Sequence, residues 1–341
     1  MRILSNKIWR IAAWPFSLLM QAVSILRNKL YDFGIYKSYR INATVISVGN
    51  ISVGGTGKTP VIMALAEYLQ MQGRSVAVLS RGYARNSSGI VIVSEGKGPV
   101  CDVRRAGDEP YLIASRLPSV PVVVAEDRVA GGKEICRRFH PEIILLDDGF
   151  QHRRLQRDFD IVLLDTKRFL QNSSVLPAGP YREGLIGLKR ANVILLVGSR
   201  LQNDKVMKKL RNNVNCHIDT VDITSKRVWC PATAEFMTIE KLSGKKVFVT
   251  SAIGQPEKLR SLLKKVKADI VAFYVFRDHH FYTIDDIERL LVKYHSLKAD
   301  ALVTTWKDWV KIQAFNKLNQ IDVCIPEHKA YLKTAFLDTL I

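Results

Sequence analysis

From Thr44 onward, short runs of β-branched and aliphatic residues recur, separated by stretches with helical spacing. The first set is TVISV (44–48), SVAVLS (75–80), PVVVAE (121–126), EIILLDD (142–148), DIVLLD (160–165) and NVILLV (192–197). Runs that are apolar on both faces and alternate with helices predict a parallel α/β sheet. The first intervening helix is predicted over 59–72, with Gly73 ending it. Between residues 212 and 245 the rhythm changes, and CHIDTVDI and KRVWC read as two extended strands, a β-ribbon linker. KVFVTSAIG (246–254) restarts the βα alternation, followed by IVAFYVF (270–276), ALVTT (301–305) and IDVCIP (321–326). The expected organisation is an amino-terminal region (1–43), a larger α/β domain (44–215), a ribbon (216–245) and a smaller α/β domain (246–341). The last helix of the chain could return to the larger domain.

The segment Ile11–Leu26 is mostly apolar but shorter than the ~20 residues of a membrane-spanning helix. Arg2, Lys7 and Arg10 precede it, and Arg27 and Lys29 follow it. Three readings compete. A cleaved signal peptide lacks a clear small-residue cleavage site. A buried core helix is possible on composition. An amphipathic helix lying on an anionic membrane surface fits best, because Trp9, Trp14 and Phe16 suit the headgroup boundary and the flanking cations suit acidic lipid.

Charge strengthens the case for an anionic partner. The 341 residues hold 51 Lys+Arg against 32 Asp+Glu, a net charge of +19. Nucleic acid is a poor partner, since no nucleic-acid module is present and the cations are not interleaved with stacking aromatics. The five cysteines are widely spaced with no CxxC, which fits neither a disulfide framework nor a zinc site. Arg81, Arg104, Arg105, Arg153, Arg154, Arg157 and Arg182 cluster near the motifs below; each one singly reads as a solvated surface cation.

The segment VGNISVGGTGKTP (48–60) follows a strand and opens a helix, the setting of a phosphate-binding loop. Gly54, Gly55, Thr56 and Gly57 let the backbone wrap around phosphate oxygens, with the helix N-terminus favouring negative charge. Lys58 can reach the β- and γ-phosphates of a nucleotide, and the Thr59 hydroxyl can bind Mg²⁺. The strict GxxxxGK[ST] pattern fails only at its first position, where Ser52 replaces Gly. A second strand, EIILLDDGFQHR (142–153), ends in Asp147 and Asp148, placed as a Mg²⁺-holding pair, with Gln151 and His152 able to extend that shell.

Together these segments resemble the tetraacyldisaccharide 4′-kinase family, the lipid A kinases of Gram-negative bacteria. The matching pieces are VGNISVGGTGKTP, VAVLSRGYAR (76–85), AGDEP (106–110), LLDDGFQHR (145–153), LPAGPYRE (176–183) and RDHHFY (277–282). The resemblance implies ATP- and Mg²⁺-dependent phosphorylation of a sugar hydroxyl on an acylated diglucosamine 1-phosphate. It implies two α/β domains joined by a β-ribbon with the active site between them. It also implies a monotopic protein on the cytoplasmic face of the inner membrane. Lys58 and Thr59 stand at the family's phosphate-loop pair, Asp147 and Asp148 at its Mg²⁺ acids, and Gln151 and His152 beside them. Asp108 stands at the proposed base. Its histidine partner lies in the DHH run, where His279 is favoured over His280.

Two other functions remain open on sequence: a phosphate-loop kinase for a soluble small molecule, and a membrane-recruited ATPase switch. The first has no use for the amphipathic amino terminus. The second does not need a second α/β domain carrying a histidine pair.

Overall fold

The computed structural model describes residues 7–211 and 214–337. Arg2, predicted to flank the amino-terminal helix, lies outside them. Helix α1 (Lys7–Asp32) leads into β1 (Thr44–Asn50), α2 (Lys58–Met71), β2 (Val76–Ser80) and β3 (Val91–Glu95). Then come α3 (Val103–Ala106), α4 (Asp108–Arg116), β4 (Pro121–Val124), α5 (Arg128–Phe139), β5 (Ile143–Asp147) and β6 (Phe159–Asp165). The first unit continues through α6 (Thr166–Gln171), β7 (Val193–Val197), α7 (Arg200–Arg211) and β8 (His217–Thr220).

These strands form one eight-stranded sheet in the order β3-β4-β2-β5-β1-β6-β7-β8. Every neighbour pair is parallel except β3 against β4. The antiparallel edge was not predicted, because VIVSE is short and sits between glycine-rich turns. Strands β2 and β5 are buried throughout and β6 is buried between its two end residues, as the unbroken apolar runs required. Helix α2 starts at Lys58 and its chain leaves at Gly73, which adopts φ 76. Its Ile62, Leu65, Ala66 and Leu69 form the buried stripe that seats it on the sheet.

The second unit holds β9 (Asp222–Thr224), β10 (Arg227–Cys230), β11 (Glu235–Thr238), β12 (Lys246–Ser251), α8 (Pro256–Lys265), β13 (Asp269–Val275) and α9 (Ile284–Ser296). It ends with β14 (Ala301–Val303), α10 (Trp306–Ile312), β15 (Val323–Pro326), β16 (Lys329–Tyr331) and α11 (Thr334–Leu337). Its six-stranded sheet runs β11-β10-β15-β14-β12-β13. The stretch 216–245 is shared among three sheets. Strand β8 completes the first sheet beside β7, and β9 pairs antiparallel with β16 as a separate ribbon. Strands β10 and β11 form a hairpin on the edge of the second sheet. Phe336 and Leu337, at the end of the described chain, are buried in the core of the first unit.

Helix α1 is not a core helix. Among its described residues only Ala13 and Ser17 are buried. Trp9, Ala13 and Ser17 lie one turn apart on one stripe: Trp9 Nε1 donates to Pro177 O at 3.2 Å, and Ala178 N donates to Ser17 Oγ at 2.9 Å. The remaining faces expose Ile8, Ile11, Trp14, Phe16, Leu19 and Leu26. Among the described residues, Ile8–Asp32 is the one helix long and apolar enough to cross a membrane, longer than the Ile11–Leu26 run suggested.

Candidate active site

Strands β2, β5 and β1 lie side by side, so Ser80, Asp147 and the loop after Asn50 meet at one carboxyl edge of the sheet. In open α/β sheets that edge is where ligands sit. The loop from Ile51 to Gly57 turns through Gly54 at φ 93 and Gly57 at φ 96. At Gly57 the positive φ disfavours any side chain, and a Cβ there would also stand 2.2 Å from Ile223 Cδ1 of the ribbon, whose terminal methyl would have to turn away. Inside the loop, Asn50 Nδ2 donates to Thr56 Oγ1 at 2.8 Å.

The LPAGPYRE segment braces the start of the loop. Val53 N donates to Pro180 O at 2.8 Å and Arg182 N to Ile51 O at 2.7 Å. Ser52, at the position where the strict motif has glycine, is buried in this bracing and bridges to Tyr181. The same segment brings Arg182 Nη1 to Asp148 Oδ2 at 2.8 Å. Arg182 is thus part of the site rather than a solvated cation. Arg157, paired with Asp160, departs from that expectation as well.

Lys58 Nζ lies 3.5 Å from Asp148 Oδ1, and Asp148 itself is held at φ 50. Burial raises the Asp148 carboxyl, but Lys58 and Arg182 outweigh it and hold the group below its ordinary value. Asp147 behaves oppositely. Burial, reinforced by the charge of Glu109, pushes it up to about 7 despite Lys58, while Ser80 Oγ donates to its Oδ2 at 2.8 Å. Its Oδ1 is buried without a hydrogen-bond partner, and the buried Oδ1 of Asp148 faces the Lys58 ammonium at 3.5 Å without a hydrogen bond. Carboxylate oxygens with spare acceptor capacity, in the cleft that Thr59 also lines, fit Mg²⁺, which commonly keeps water and phosphate oxygens around one or two carboxylates. A closed cage of protein ligands is not present: among the described residues, no three His, Cys, Asp or Glu side chains converge on one cation position.

Gln151 stands one step behind these acids. Its Nε2 donates to Asn50 O and Glu183 Oε1, each at 2.9 Å, and its Oε1 accepts from Arg182. Its hydrogen bonds tie the β1 end, Glu183 and Arg182 together behind the acids. His152 lines the cleft with a buried, unpartnered Nε2. Burial and the nearby Arg128 guanidinium depress its pKa to about 4, so it is neutral near pH 7.

Across the cleft, the expected histidine ambiguity resolves by contact. His279 Nδ1 lies 2.9 Å from Asp108 Oδ2. His280 instead reaches Asp286 Oδ2 at 2.8 Å and stacks on Phe276 within its own unit. Asp108 opens α4 behind Gly107, whose φ of 87 places the helix start against Tyr83 O. The Tyr83 ring lies 5.2 Å from that of His279. Burial raises the Asp108 carboxyl, but the His279 hydrogen bond and Lys307 bring it below its ordinary value. The same bond raises His279.

Three groups were missed on sequence. Lys307, at the start of α10, pairs with Glu109, and Thr59 Oγ1 donates to Glu109 Oε2 at 3.3 Å. Lys258, at the start of α8, approaches the Gly55 carbonyl. Arg128 is a buried cation in the cleft wall. Glu109 lay inside the AGDEP segment, and Lys307 follows the carboxyl end of a predicted strand, which is the available signal. The cleft between the units encloses ≈ 2070 Å³ and extends to Met20, Val23 and Arg27 of α1.

A family model described as tetraacyldisaccharide-1-P 4′-kinase, LpxK, matches residues 9–341. The tetraacyldisaccharide 4′-kinase of Chlorobaculum parvum is 38% identical, with 87% of this chain and 83% of that protein covered. The enzyme of that name from Syntrophus aciditrophicus is 34% identical over 89% of this chain and 86% of its own. The crystal structure of an "apo" form of LpxK from Aquifex aeolicus in complex with ATP superposes with a TM-score of 0.79. It is 32% identical and covers 97% of this chain and 98% of its own. With the family model matching residues 9–341 and the relatives covering nearly the whole chain, this chain belongs to the tetraacyldisaccharide-1-P 4′-kinase family.

Proposed function

We propose that the chain uses ATP to phosphorylate the 4′-hydroxyl of a tetraacyldisaccharide 1-phosphate, giving the bis-phosphorylated lipid A precursor, and does so at the cytoplasmic face of the bacterial inner membrane. The kinase activity follows from family membership; the residue roles and the membrane setting are our reading. The loop amides of Gly54, Gly55, Thr56 and Gly57 and the Lys58 ammonium hold the phosphates. Thr59, Asp147 and Asp148 would hold Mg²⁺, which when bound offsets phosphate charge.

Asp108 accepts the proton of the attacking hydroxyl, and His279 fixes the carboxylate and shares the proton. A carboxylate of lowered pKa suffices, because in a loose transition state the proton leaves late and orientation dominates. The observation that carries this reading is the Asp108–His279 contact at 2.9 Å, in the same cleft as the phosphate loop. The acylated end of the substrate would lie toward α1, whose Met20 and Val23 form the apolar end of the cleft. The exposed apolar faces of α1 would rest in the lipid headgroup region.

The test is incubation with γ-labelled ATP and the acylated disaccharide 1-phosphate in detergent. Label in the lipid is the expected result. Label released only as inorganic phosphate would instead make the protein an ATPase switch.

A further inference from the structure

Three polar contacts from the second unit end around the phosphate loop: His279 on Asp108, Lys307 on Glu109, and Lys258 on Gly55. The first two meet carboxylates. The third is different, because among the described residues Lys258 Nζ meets a backbone carbonyl, at 3.4 Å, and no carboxylate at ion-pair distance. A carbonyl offers a partial charge to a full cation, so this ammonium is poorly compensated. Asp165, the acid that acts on it, is already engaged by Arg168. Lys258 is exposed within the cleft, on the first turn of α8.

The space it faces is open. A Cβ built on Gly55 would meet nothing within 4 Å. In a strand–loop–helix of this kind, the loop backbone and its lysine together cradle the β- and γ-phosphates. A four-carbon stem anchored on α8 can swing its ammonium from the carbonyl to a phosphate oxygen without moving the helix. Lys58, the loop's own lysine, faces Asp148.

We propose that Lys258 is a catalytic cation supplied by the second domain, contacting the oxygens of the transferring phosphoryl group. The proposal rests on the phosphate-loop reading of residues 52–59. Charge spreads over the equatorial and leaving oxygens as the phosphoryl group moves, and a cation arriving from the opposite wall stabilises that state more than the ground state. Because α8 belongs to the unit that carries His279, phosphate stabilisation and proton acceptance are completed by the same approach of the two domains.

The experiment measures kcat at saturating ATP and saturating acylated disaccharide for Lys258→Gln and Lys258→Arg, with nucleotide Kd measured separately. Lys258→Gln should lose about 100-fold or more in kcat, the scale of one preorganised transition-state contact. Its nucleotide Kd should change by only a few-fold, and Lys258→Arg should recover much of the rate. A kcat for Lys258→Gln near the wild-type value would overturn the proposal. So would a loss that saturating lipid erases, which would make Lys258 a latch between the domains. Lys58→Ala is the control for the underlying reading: if it too is fully active, the phosphate loop itself has been misassigned. An inactive Lys58→Ala beside a normal Lys258→Gln refutes the second-domain cation alone.

Discussion

Asp108 Oδ2 and His279 Nδ1 lie 2.9 Å apart although 171 positions separate the two residues. Each is delivered by a constrained backbone. Asp108 follows Gly107 at φ 87, and His279 sits at φ 62 with its N–H bonded to Ala252 O at 3.1 Å. Left-handed backbone at a non-glycine residue is unfavourable and persists where the surroundings enforce it. Here the surroundings aim the imidazole across the cleft. Asp108 Oδ1 accepts from the next backbone N–H, of Glu109, at 3.0 Å, so the carboxylate is fixed on both sides.

If the two side chains act as one acid–base unit, their losses do not multiply. Asp108→Asn and His279→Ala should each reduce kcat severely, and the double variant should be little worse than the worse single one. Asn preserves the local hydrogen bond at the helix start and cannot accept the proton, so fold and function separate in this variant. Independent multiplicative losses in kcat, with melting temperatures unchanged, would refute the pair.

His280 provides the contrast. Its ring bonds Asp286 and packs between Phe276 and Tyr282, all within the second unit. His280→Ala should cost on the order of 1 kcal/mol of stability, the net scale of one hydrogen bond. At a temperature where the protein is folded, its kcat should stay within a few-fold of wild type. An inactive but fully folded His280→Ala would shift the catalytic role one residue along.

The pair also has a defined pH window. Asp108 is held below its ordinary pKa, so its stabilisation is present above the unfolded carboxyl value and is lost as pH falls through the lowered folded value. His279 is raised, so its stabilisation is complete below the unfolded imidazole value and is lost as pH rises through the raised folded value. The contact is therefore strongest between those limits. Asp108→Asn removes the bond and the charge that raise His279, leaving burial to act against protonation. The His279 titration, followed by NMR, should move to lower pH in Asp108→Asn. A titration curve that does not move would mean that the contact is absent in solution.

The parts of this site that lie on one strand–loop–helix were legible in sequence, because local chain geometry alone brings them together. TVISVGN, the glycine loop and the helix from Lys58 needed no tertiary information, and neither did Asp147 at the end of IILLD. Lys307 and Lys258 could not be read in this way. Their partners, Glu109 and Gly55, lie 198 and 203 positions away, and only the packing of one domain on the other selects them. The division of residues 216–245 among three sheets was hidden for a related reason. His217–Thr220 and Asp222–Thr224 are adjacent short strands, and nothing in their composition says that one joins β7 and the other β16. Gln151 shows a mixed case: its spacing from Asp148 was legible, whereas its hydrogen bonds to Asn50, Glu183 and Arg182 depend on the folding of the LPAGPYRE segment over the loop.

The amino-terminal helix divides into a docking stripe and a free apolar surface, and the two can be tested apart. Trp9 and Ser17 bond to Pro177 and Ala178, with Ala13 buried on the same stripe, so substitutions there would disturb the segment that braces the phosphate loop. Phe16 and Leu19 are 65% and 64% exposed and touch no such support. Placing Glu at both positions puts two anions where an acidic lipid surface would have to meet them, while the docking stripe stays intact. Repulsion and lost apolar burial act in the same direction. Phe16→Glu/Leu19→Glu should bind vesicles containing anionic lipid much more weakly than wild type in a flotation assay. With the substrate dispersed in detergent, its kcat should stay within a few-fold of wild type, since neither residue lines the cleft. Undiminished flotation would show that another surface docks on the membrane. A matching collapse of kcat in detergent would show that this face of α1 serves the catalytic site rather than the bilayer.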